Sequence, residues 1–185
     1  MDITTKRGET FLFTPFEKQH AERLSAFFES LGDDTRSKFG PHALTRDFVF
    51  GHLVQTTKNR NVERFVLSSQ TKIIGYFIVD YREFAEEKKR YHHYGIDLDF
   101  TTNPVFAPCI ADAYQSQGIA SQALKALLVH LHQQNIESLI LMGGTQAPNK
   151  QARQFYKKMG FEELGEFYTQ HNQLNNVDMR LLLNP

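Results

Sequence analysis

The chain has 185 residues, and its 21 Lys and Arg balance 21 Asp and Glu, so no overall positive field favours nucleic acid or an anionic membrane. Hydrophobic residues make up 41% and charged residues 23% of the chain, which is typical of a globular domain and excludes a disordered chain. The single cysteine, Cys109, excludes an internal disulfide and a zinc site built from several thiolates.

The N-terminal residues, MDITTKRGETF, lack the basic and then apolar run of a signal peptide, so a cytoplasmic location is expected. No stretch approaches the roughly 20 apolar residues of a membrane-spanning helix. The length suits one domain, which we predict over residues 1–185 with a core from about Phe11 to Leu183. No nucleic-acid partner, membrane partner or metal ion is expected, and a monomer and a homodimer both stay open.

The first helix signal is the segment Thr14-Pro15-Phe16-Glu17, in which Thr14 can cap a helix and Glu17 can complete a capping box. Apolar residues then recur at helical spacing, and this pattern ends at Gly32. A second helix is predicted from about Thr45 to Thr57. The apolar stripe of the first helix consists of Ala21, Leu24, Phe27, Phe28 and Leu31.

Two strands are predicted next, at Val62 to Ser68 and at Thr71 to Tyr81, and the second is almost continuously apolar, as a strand buried on both faces would be. Residues Phe84 to Asn103 are interpreted as a charged loop that leads into a strand near Tyr94 to Phe100. Another strand is predicted from Val105 to Ala111.

The C-terminal half alternates between helix and strand patterns. Apolar residues at helical spacing run from Ala120 to Leu131, and Ser138 to Met142 has the pattern of a short buried strand. A helix that opens at Pro148-Asn149 ends at Gly160, and two strands close the chain near Phe161 to Tyr168 and Val177 to Leu183. This order of elements predicts a mixed sheet with helices on both faces.

The segment with the clearest chemistry is Gln115-Ser116-Gln117-Gly118-Ile119-Ala120, between a strand and a strongly periodic helix. Amides at a helix N-terminus are unpaired and lie at the positive end of the helix dipole, so they hold a phosphate without a basic side chain. Gly118 lets the backbone approach the anion, and Ala120 keeps the next turn slim.

This segment resembles motif A, Gln/Arg-x-x-Gly-x-Gly/Ala, of the Gcn5-related N-acetyltransferase (GNAT) superfamily, and Ile110 to Tyr114 resembles the exit of that family's fourth strand. Farther on, Asn149 to Phe161 resembles the family signature Asn-x-x-Ala-x-x-φ-Tyr-x-x-φ-Gly-Phe, in which φ is apolar. The two motifs stand in the family's order and spacing. The resemblance implies the acyl-CoA N-acyltransferase fold: a mixed, mostly antiparallel sheet of about seven strands, splayed in the middle, with helices on both faces.

The resemblance also implies an activity, the transfer of an acetyl group from acetyl-CoA to a primary amine by direct attack on the thioester. Tyr156 would protonate the departing thiolate, and Asn149 would bind the pantetheine arm. An amide near Ile110 would stabilise the oxyanion. The residues that would contact the cofactor are Cys109, Ile110, Ala111, Gln115, Ser116, Gln117, Gly118, Ile119, Ala120, Ser121, Asn149, Ala152, Phe155 and Lys158.

The chain departs from the family where a base is needed, because only an unprotonated amine can attack. Relatives often carry a glutamate on the fourth strand, but this chain reads Pro104-Val105-Phe106-Ala107-Pro108-Cys109-Ile110 without a carboxylate. Motif A also lacks the basic residue that relatives often carry, so phosphate binding would depend on backbone amides, with Arg153, Lys157 or Lys158 near. Candidate bases acting through a water are Glu83, His92, His93, Asp97 and Asp99.

Other interpretations stay open at this point. Tyr156 can be a core aromatic residue, and Cys109 is interpreted as a small buried residue and not as a nucleophile. A non-catalytic acyl-CoA sensor of the same fold is the alternative function. Polyamines, antibiotics, amino acids and the α-amine or a lysine of a protein are all possible acceptors. We expect the first helix pair and the Phe84 to Asn103 segment to shape the acceptor side.

Overall fold

The computed structural model describes residues 1–170 and 172–183, and the chain divides into two compact units. Unit 1 comprises Met1–Val79 and Ala107–Val129, and unit 2 comprises Asp80–Phe106 and His130–Pro185. The single domain predicted over residues 1–185 stays a prediction. Its last two residues, and His171, lie outside the described residues.

The described residues form nine strands and six α-helices. The strands are β1 (Asp2–Thr4), β2 (Thr10–Pro15), β3 (Val62–Ser68), β4 (Ile73–Asp80), β5 (Val105–Ile110), β6 (Ser138–Leu141), β7 (Thr145–Gln146), β8 (Glu162–Thr169) and β9 (Leu174–Leu182). The helices are α1 (Ala21–Ser30), α2 (Asp33–Ser37), α3 (Arg46–Phe48), α4 (Ala85–His93), α5 (Ile119–His132) and α6 (Lys150–Lys158).

Unit 1 is organised around the strands β1, β2, β3, β4 and the last four residues of β5, in that order. The β1–β2 and β2–β3 pairs are antiparallel. Every residue of β4 is buried, as its unbroken apolar run predicts. Helix α3 continues as a π-helical turn over Val49–Leu53, within the segment predicted as the second helix.

The predicted helix start at Thr14 and Pro15 is wrong, because both residues end β2 and pair with Val66 and Phe65 of β3. Pairing along the whole strand outweighs the local capping signal. A short 3-10 turn over Lys18–His20 precedes α1, and the backbone N–H of Glu17 donates to His20 Nδ1 at 3.0 Å. Ala21, Leu24, Phe27 and Phe28 of the predicted apolar stripe lie on α1, and the fifth member, Leu31, is its C-cap.

Unit 2 is organised around β9, which pairs antiparallel with β6, β7 and β8. On the other side of β6, Val105 and Phe106 of β5 pair in parallel with Ile140 and Leu141. This parallel pair makes the sheet mixed. The predicted fold class, a mixed and mostly antiparallel sheet with helices, is confirmed. Two short strands, β1 and β7, bring the number in the described residues above the predicted seven.

The prediction of a charged loop followed by a strand near Tyr94 to Phe100 is wrong. The structure has helix α4 at Ala85–His93 and no strand over the described residues 94–100. Strong helix formers fill α4, and its acidic first turn and basic last turn complement the helix dipole. Only Glu87 and Tyr91 of α4 are buried, so no apolar stripe marks the helix in the sequence. Tyr91 packs in a core with Leu98, Phe100, Val105 and Ile140.

Candidate active site

The predicted phosphate-binding turn of unit 1 has the backbone geometry that an anion site needs. Ser116 and Gly118 are both left-handed, with φ of 58° and 78°, and α5 begins directly afterwards at Ile119. The N–H of Gln122 donates to the Gly118 carbonyl at 3.2 Å and so starts the intrahelical hydrogen bonds. By helix geometry, the amides of Ile119 to Ser121 have no intrahelical acceptor and are available to an anion.

Space for that anion lies in front of Gly118. A Cβ built on Gly118 would meet no atom within 4 Å, so the turn is open on this side. The side chain of Gln117 is fixed by a hydrogen bond from Nε2 to the Ala113 carbonyl at 2.6 Å. Its Oε1 is buried and has no hydrogen-bond partner among the described residues. The turn therefore combines a fixed backbone with an open face.

The side chain of Gln115 is used inside unit 1. Its Nε2 donates to the Ile110 carbonyl at 3.1 Å and to Thr35 Oγ1 at 3.0 Å. The Asp112 carboxylate accepts from the Thr35 hydroxyl and, at 2.7 Å, from the Gly32 N–H. These two hydrogen bonds lower the pKa of Asp112, so it stays ionised. Asp112 and Gln115 thus connect the exit of β5 to the start of α2.

The exit of β5 leaves one backbone amide free of β4. The Ala111 N–H donates to the Ile74 carbonyl at 2.9 Å, so this amide is already used within unit 1. Because successive residues of a strand direct their N–H groups to opposite edges, the Ile110 N–H faces away from β4. Ile110 is therefore the residue whose amide can serve the predicted oxyanion role.

Cys109 is buried, and burial followed by the nearby Asp112 charge raises the pKa of its thiol to about 12. The thiol is protonated at neutral pH, and a protonated thiol is a poor nucleophile. This agrees with the interpretation of Cys109 as a small buried residue.

In unit 2, Asn149 is the N-cap of α6. Its Oδ1 accepts from the Ala152 N–H at 3.2 Å, while its Nδ2 has no partner among the described residues and can donate to a ligand. The predicted cofactor contacts Ala152 and Phe155 are half-buried on this helix, and Lys158 is exposed. Capping therefore occupies the carbonyl of the Asn149 amide and leaves its donor end available.

Tyr156 is 8% exposed and packs against one aromatic residue on α6 and one that follows it. Its ring lies 5.0 Å from Phe155 and 5.2 Å from Phe161, both edge to face. These contacts fix the ring and would survive removal of the hydroxyl.

Two of the three basic residues considered for phosphate binding are paired within unit 2. Arg153 donates to Glu163 at 2.7 Å and Lys157 lies 2.8 Å from the same carboxylate, which lowers the pKa of Glu163 to about 2. Lys158 has no ion pair among the described residues. It remains the member of this set that can bind a phosphate.

Three of the five candidate bases named from the sequence, Glu83, His92 and Asp97, lie in exposed pairs of unit 2. Glu83 pairs with Lys88 at 2.7 Å, and His92 with Asp97 at 2.6 Å. The two other candidates make local hydrogen bonds. Asp99 accepts from the Thr101 hydroxyl at 2.6 Å, and His93 Nδ1 lies 2.7 Å from the Lys89 carbonyl.

Sequence reasoning missed the buried carboxylates of unit 2. Arg90 Nε donates to Asp178 at 2.9 Å, Arg90 lies 3.6 Å from Glu87, and the guanidinium stacks 3.7 Å from the centre of the Phe167 ring. The Gly143 N–H donates to Glu87 at 3.1 Å. This group anchors α4 to the neighbouring strands. A charged run offers no sequence signal to separate Glu87 from its exposed neighbours.

Within the ranges 1–170 and 172–183, no helix has the length and apolar character to cross a membrane. The same ranges contain no group of three His, Cys, Asp or Glu side chains placed to hold a metal ion.

Comparison with known proteins gives a family and a fold. The model of the acetyltransferase (GNAT) family matches residues 24–161. No curated protein sequence matches the chain. Three solved structures share the fold at low identity. The GNAT domain of S. lividans PAT has 17% identity and a TM-score of 0.71, with 98% of this chain and 96% of that chain covered.

The second structure is ribosomal-protein-S5-alanine acetyltransferase from Vibrio fischeri, with 13% identity and a TM-score of 0.73. The match covers 100% of this chain and 97% of that chain. The third structure is spermidine N-acetyltransferase from Vibrio cholerae in complex with CoA and spermine, with 16% identity and a TM-score of 0.69. The match covers 94% of this chain and 95% of that chain. The family match spans well over half of the residues and includes both motifs. The chain belongs to the acetyltransferase (GNAT) family.

Proposed function

We propose that this protein transfers an acetyl group from acetyl-CoA to a primary amine by direct attack of the amine on the thioester. The observation that carries the proposal is the turn from Gln115 to Ser121, with its left-handed Gly118, its open face and the unpaired amides at the start of α5. Those amides would bind the pyrophosphate of the cosubstrate.

Asn149 and Lys158 would add contacts to the cosubstrate. The donor Nδ2 of Asn149 suits the amide carbonyls of the pantetheine arm, and the unpaired Lys158 ammonium suits a phosphate. Arg153 and Lys157 are engaged with Glu163 and would contribute less.

The reaction needs three proton movements. The acceptor ammonium first loses a proton to solvent or to a base, and its nitrogen then attacks the thioester carbon. As the C–S bond breaks, the Tyr156 hydroxyl would protonate the thiolate, and the new amide would lose the second amine proton. The net products are the N-acetyl amine, CoA with a free thiol, and one proton. The Ile110 N–H would donate to the oxyanion of the tetrahedral intermediate.

A thiol-release assay across a panel of amines tests the proposal and separates it from the alternative of an acyl-CoA sensor. The lack of a carboxylate on β5 is the observation that favours the sensor. An acetyltransferase releases thiol only when a suitable amine is present. A sensor binds acetyl-CoA in calorimetry and releases no thiol with any amine of the panel.

A further inference from the structure

Helix α2 is held in unit 1 by polar contacts. It has five residues, and none of them is buried. A helix of this length is not stable by itself, and without a buried side chain it gains little from packing. The position of α2 therefore depends on hydrogen bonds to other parts of unit 1.

One set of these hydrogen bonds comes from Arg36, within α2. Its guanidinium donates to the carbonyls of Phe28 at 2.8 Å, Leu31 at 3.1 Å and Leu44 at 3.2 Å. Phe28 and Leu31 lie at the end of α1, and Leu44 lies before α3. Arg36 thus ties α2 to the segments on either side of it in the chain.

A second set of hydrogen bonds joins α2 to the exit of β5 through Asp112. The Gly32 N–H donates to Asp112 Oδ2 at 2.7 Å, and the Thr35 hydroxyl donates to Oδ1. The approach is close, because a Cβ built on Gly32 would lie 3.2 Å from Oδ2. Both oxygens of one carboxylate therefore hold the start of α2 at the exit of β5.

The start of α2 is also joined to the residue predicted to stabilise the oxyanion. Gln115 Nε2 donates to Thr35 Oγ1 at 3.0 Å and to the Ile110 carbonyl at 3.1 Å. The C=O and N–H groups of one strand residue face the same edge of the strand, so this carbonyl marks the side to which the Ile110 N–H points. Thr35 thus lies two hydrogen bonds from Ile110. Helix α2 therefore borders the predicted position of the reaction within unit 1.

We propose that Asp112 is a positioning residue for acetyl transfer, which fixes α2 beside Ile110 so that the acceptor amine is guided to the thioester. This inference rests on the proposed function. Helix α2 lies between the two helices that are expected to shape the acceptor side. Asp112 itself would touch neither substrate. Its loss should release the start of α2 and weaken the use of the amine.

The turn that would bind the cofactor is held by other hydrogen bonds. Gln117 Nε2 donates to the Ala113 carbonyl at 2.6 Å, and the bond from Gln115 to the Ile110 carbonyl does not involve the Asp112 carboxylate. Loss of that carboxylate should therefore leave the affinity for acetyl-CoA close to that of the parent. The effect on the amine and the effect on the cofactor can thus be separated.

The test uses alanine, an alanyl peptide and spermidine, and takes the amine with the highest kcat/KM in the parent. Asp112→Asn should lower kcat/KM for that amine by ~3–30-fold at saturating acetyl-CoA, less than a fully buried charged hydrogen bond would, because Asp112 is exposed. Calorimetry should give a Kd for acetyl-CoA within about twofold of the parent. Hydrogen exchange should become faster at residues 33–37 and stay unchanged in α5.

Thr35 offers a matched pair of variants that leave Asp112 in place. Thr35→Val removes the hydroxyl and should reproduce the loss, whereas Thr35→Ser keeps the hydroxyl and should behave like the parent. The double variant of Asp112→Asn and Thr35→Val should lose little more than either single variant, because both remove the same hydrogen bond. Asp2→Asn changes an exposed carboxylate of β1 and should also behave like the parent.

The outcomes separate this inference from the proposed function. If Asp112→Asn keeps the parental kcat/KM for the amine, or if its Kd for acetyl-CoA rises as much as kcat/KM falls, the inference is wrong while the proposed function stands. Parental hydrogen exchange at residues 33–37 would also overturn the inference. If the parent acetylates no amine but binds acetyl-CoA, the proposed function fails, and the inference fails with it.

Discussion

The two units bury different kinds of polar group. The buried polar residues of unit 1 are uncharged at neutral pH: Thr5, His20, Ser25 and Ser68. Within the described residues, the buried carboxylates all belong to unit 2: Asp80, Glu87 and Asp178. Each of these carboxylates has a guanidinium near it, Arg82 for Asp80 and Arg90 for Asp178 and Glu87.

This difference shows how each unit holds its candidate site residues. In unit 1 the turn at Gly118 depends on its left-handed backbone conformation and on the side-chain hydrogen bonds of Gln115 and Gln117. In unit 2 the segment around α4 depends on charged groups that must stay ionised and paired, because an unpaired buried charge is costly. Substitutions that change the backbone conformation should therefore affect unit 1 most. Substitutions that remove a charge should affect unit 2 most.

The largest effect is expected at the turn of unit 1. Gly118→Asp places a carboxylate in the open space where phosphate would bind and forces a side chain onto a φ of 78°. We expect calorimetry to show no binding of acetyl-CoA. Gly8→Asp is the matched control, since Gly8 also has a positive φ and open space around it. Normal affinity in a folded Gly118→Asp protein would exclude this turn as the phosphate site.

The next effect is expected at Tyr156 in unit 2. Tyr156→Phe removes the hydroxyl and keeps the ring contacts with Phe155 and Phe161. Loss of a general acid should lower turnover by ~10²–10⁴-fold with near-normal affinity for acetyl-CoA. A variant that has lost packing would instead show weaker cofactor binding and a lower melting temperature. Parental turnover would make Tyr156 a packing residue.

Features that depend on neighbouring residues in the sequence could be predicted, and features that depend on distant residues could not. Motif A and the signature from Asn149 to Phe161 are local in the sequence, so their elements and caps could be predicted from spacing alone. Helix α4 could not be predicted, because its buried face consists of Glu87 and Tyr91 and has no apolar period. The strand character of Thr14 and Pro15 depends on pairing with a segment about fifty residues away. The partner of His42 is also absent from the sequence pattern, because only the fold brings its Nε2 within 3.2 Å of the Tyr76 hydroxyl.

A change of charge should destabilise unit 2. Asp178 is fully buried and accepts two hydrogen bonds from Arg90 and one from Tyr94. Asp178→Asn leaves the guanidinium without its carboxylate, and loss of a partner from a buried pair typically costs ~3–5 kcal/mol. Chemical denaturation should show this loss in the free energy of unfolding. Asp97→Asn is the control, because Asp97 forms an exposed pair with His92. It should change the free energy of unfolding little.

Acid should act on unit 1 through His42. Its pKa is about 4 in the folded protein and near 6.5 when unfolded, so the unfolded state binds the proton first. The stability that neutral His42 contributes is complete above pH 6.5 and is lost as the pH falls toward 4, by at most about 3 kcal/mol.

Denaturation curves across this pH range can isolate the His42 contribution. His42→Gln should flatten the pH dependence of the free energy of unfolding. His132→Gln, at an exposed position, should leave this pH dependence as in the parent. An equal slope in the parent and in His42→Gln would contradict a buried neutral His42.

The smallest effect is expected at Cys109. Its thiol is protonated at neutral pH, and direct transfer needs no acyl-enzyme. Cys109→Ala should keep turnover within about twofold of the parent. An acetylated Cys109 in mass spectra of the parent, together with loss of turnover in the variant, would replace direct attack with a covalent mechanism.

Acetyl-CoA should be consumed only by transfer of its acetyl group to an amine. The most direct measurement quantifies the released thiol and the acetylated amine in the same reaction, by thiol titration and mass spectrometry. We predict equal amounts of the two products, and no thiol when the amine is left out. Thiol without acetylated amine, or cofactor binding without either product for every amine tested, would contradict the account.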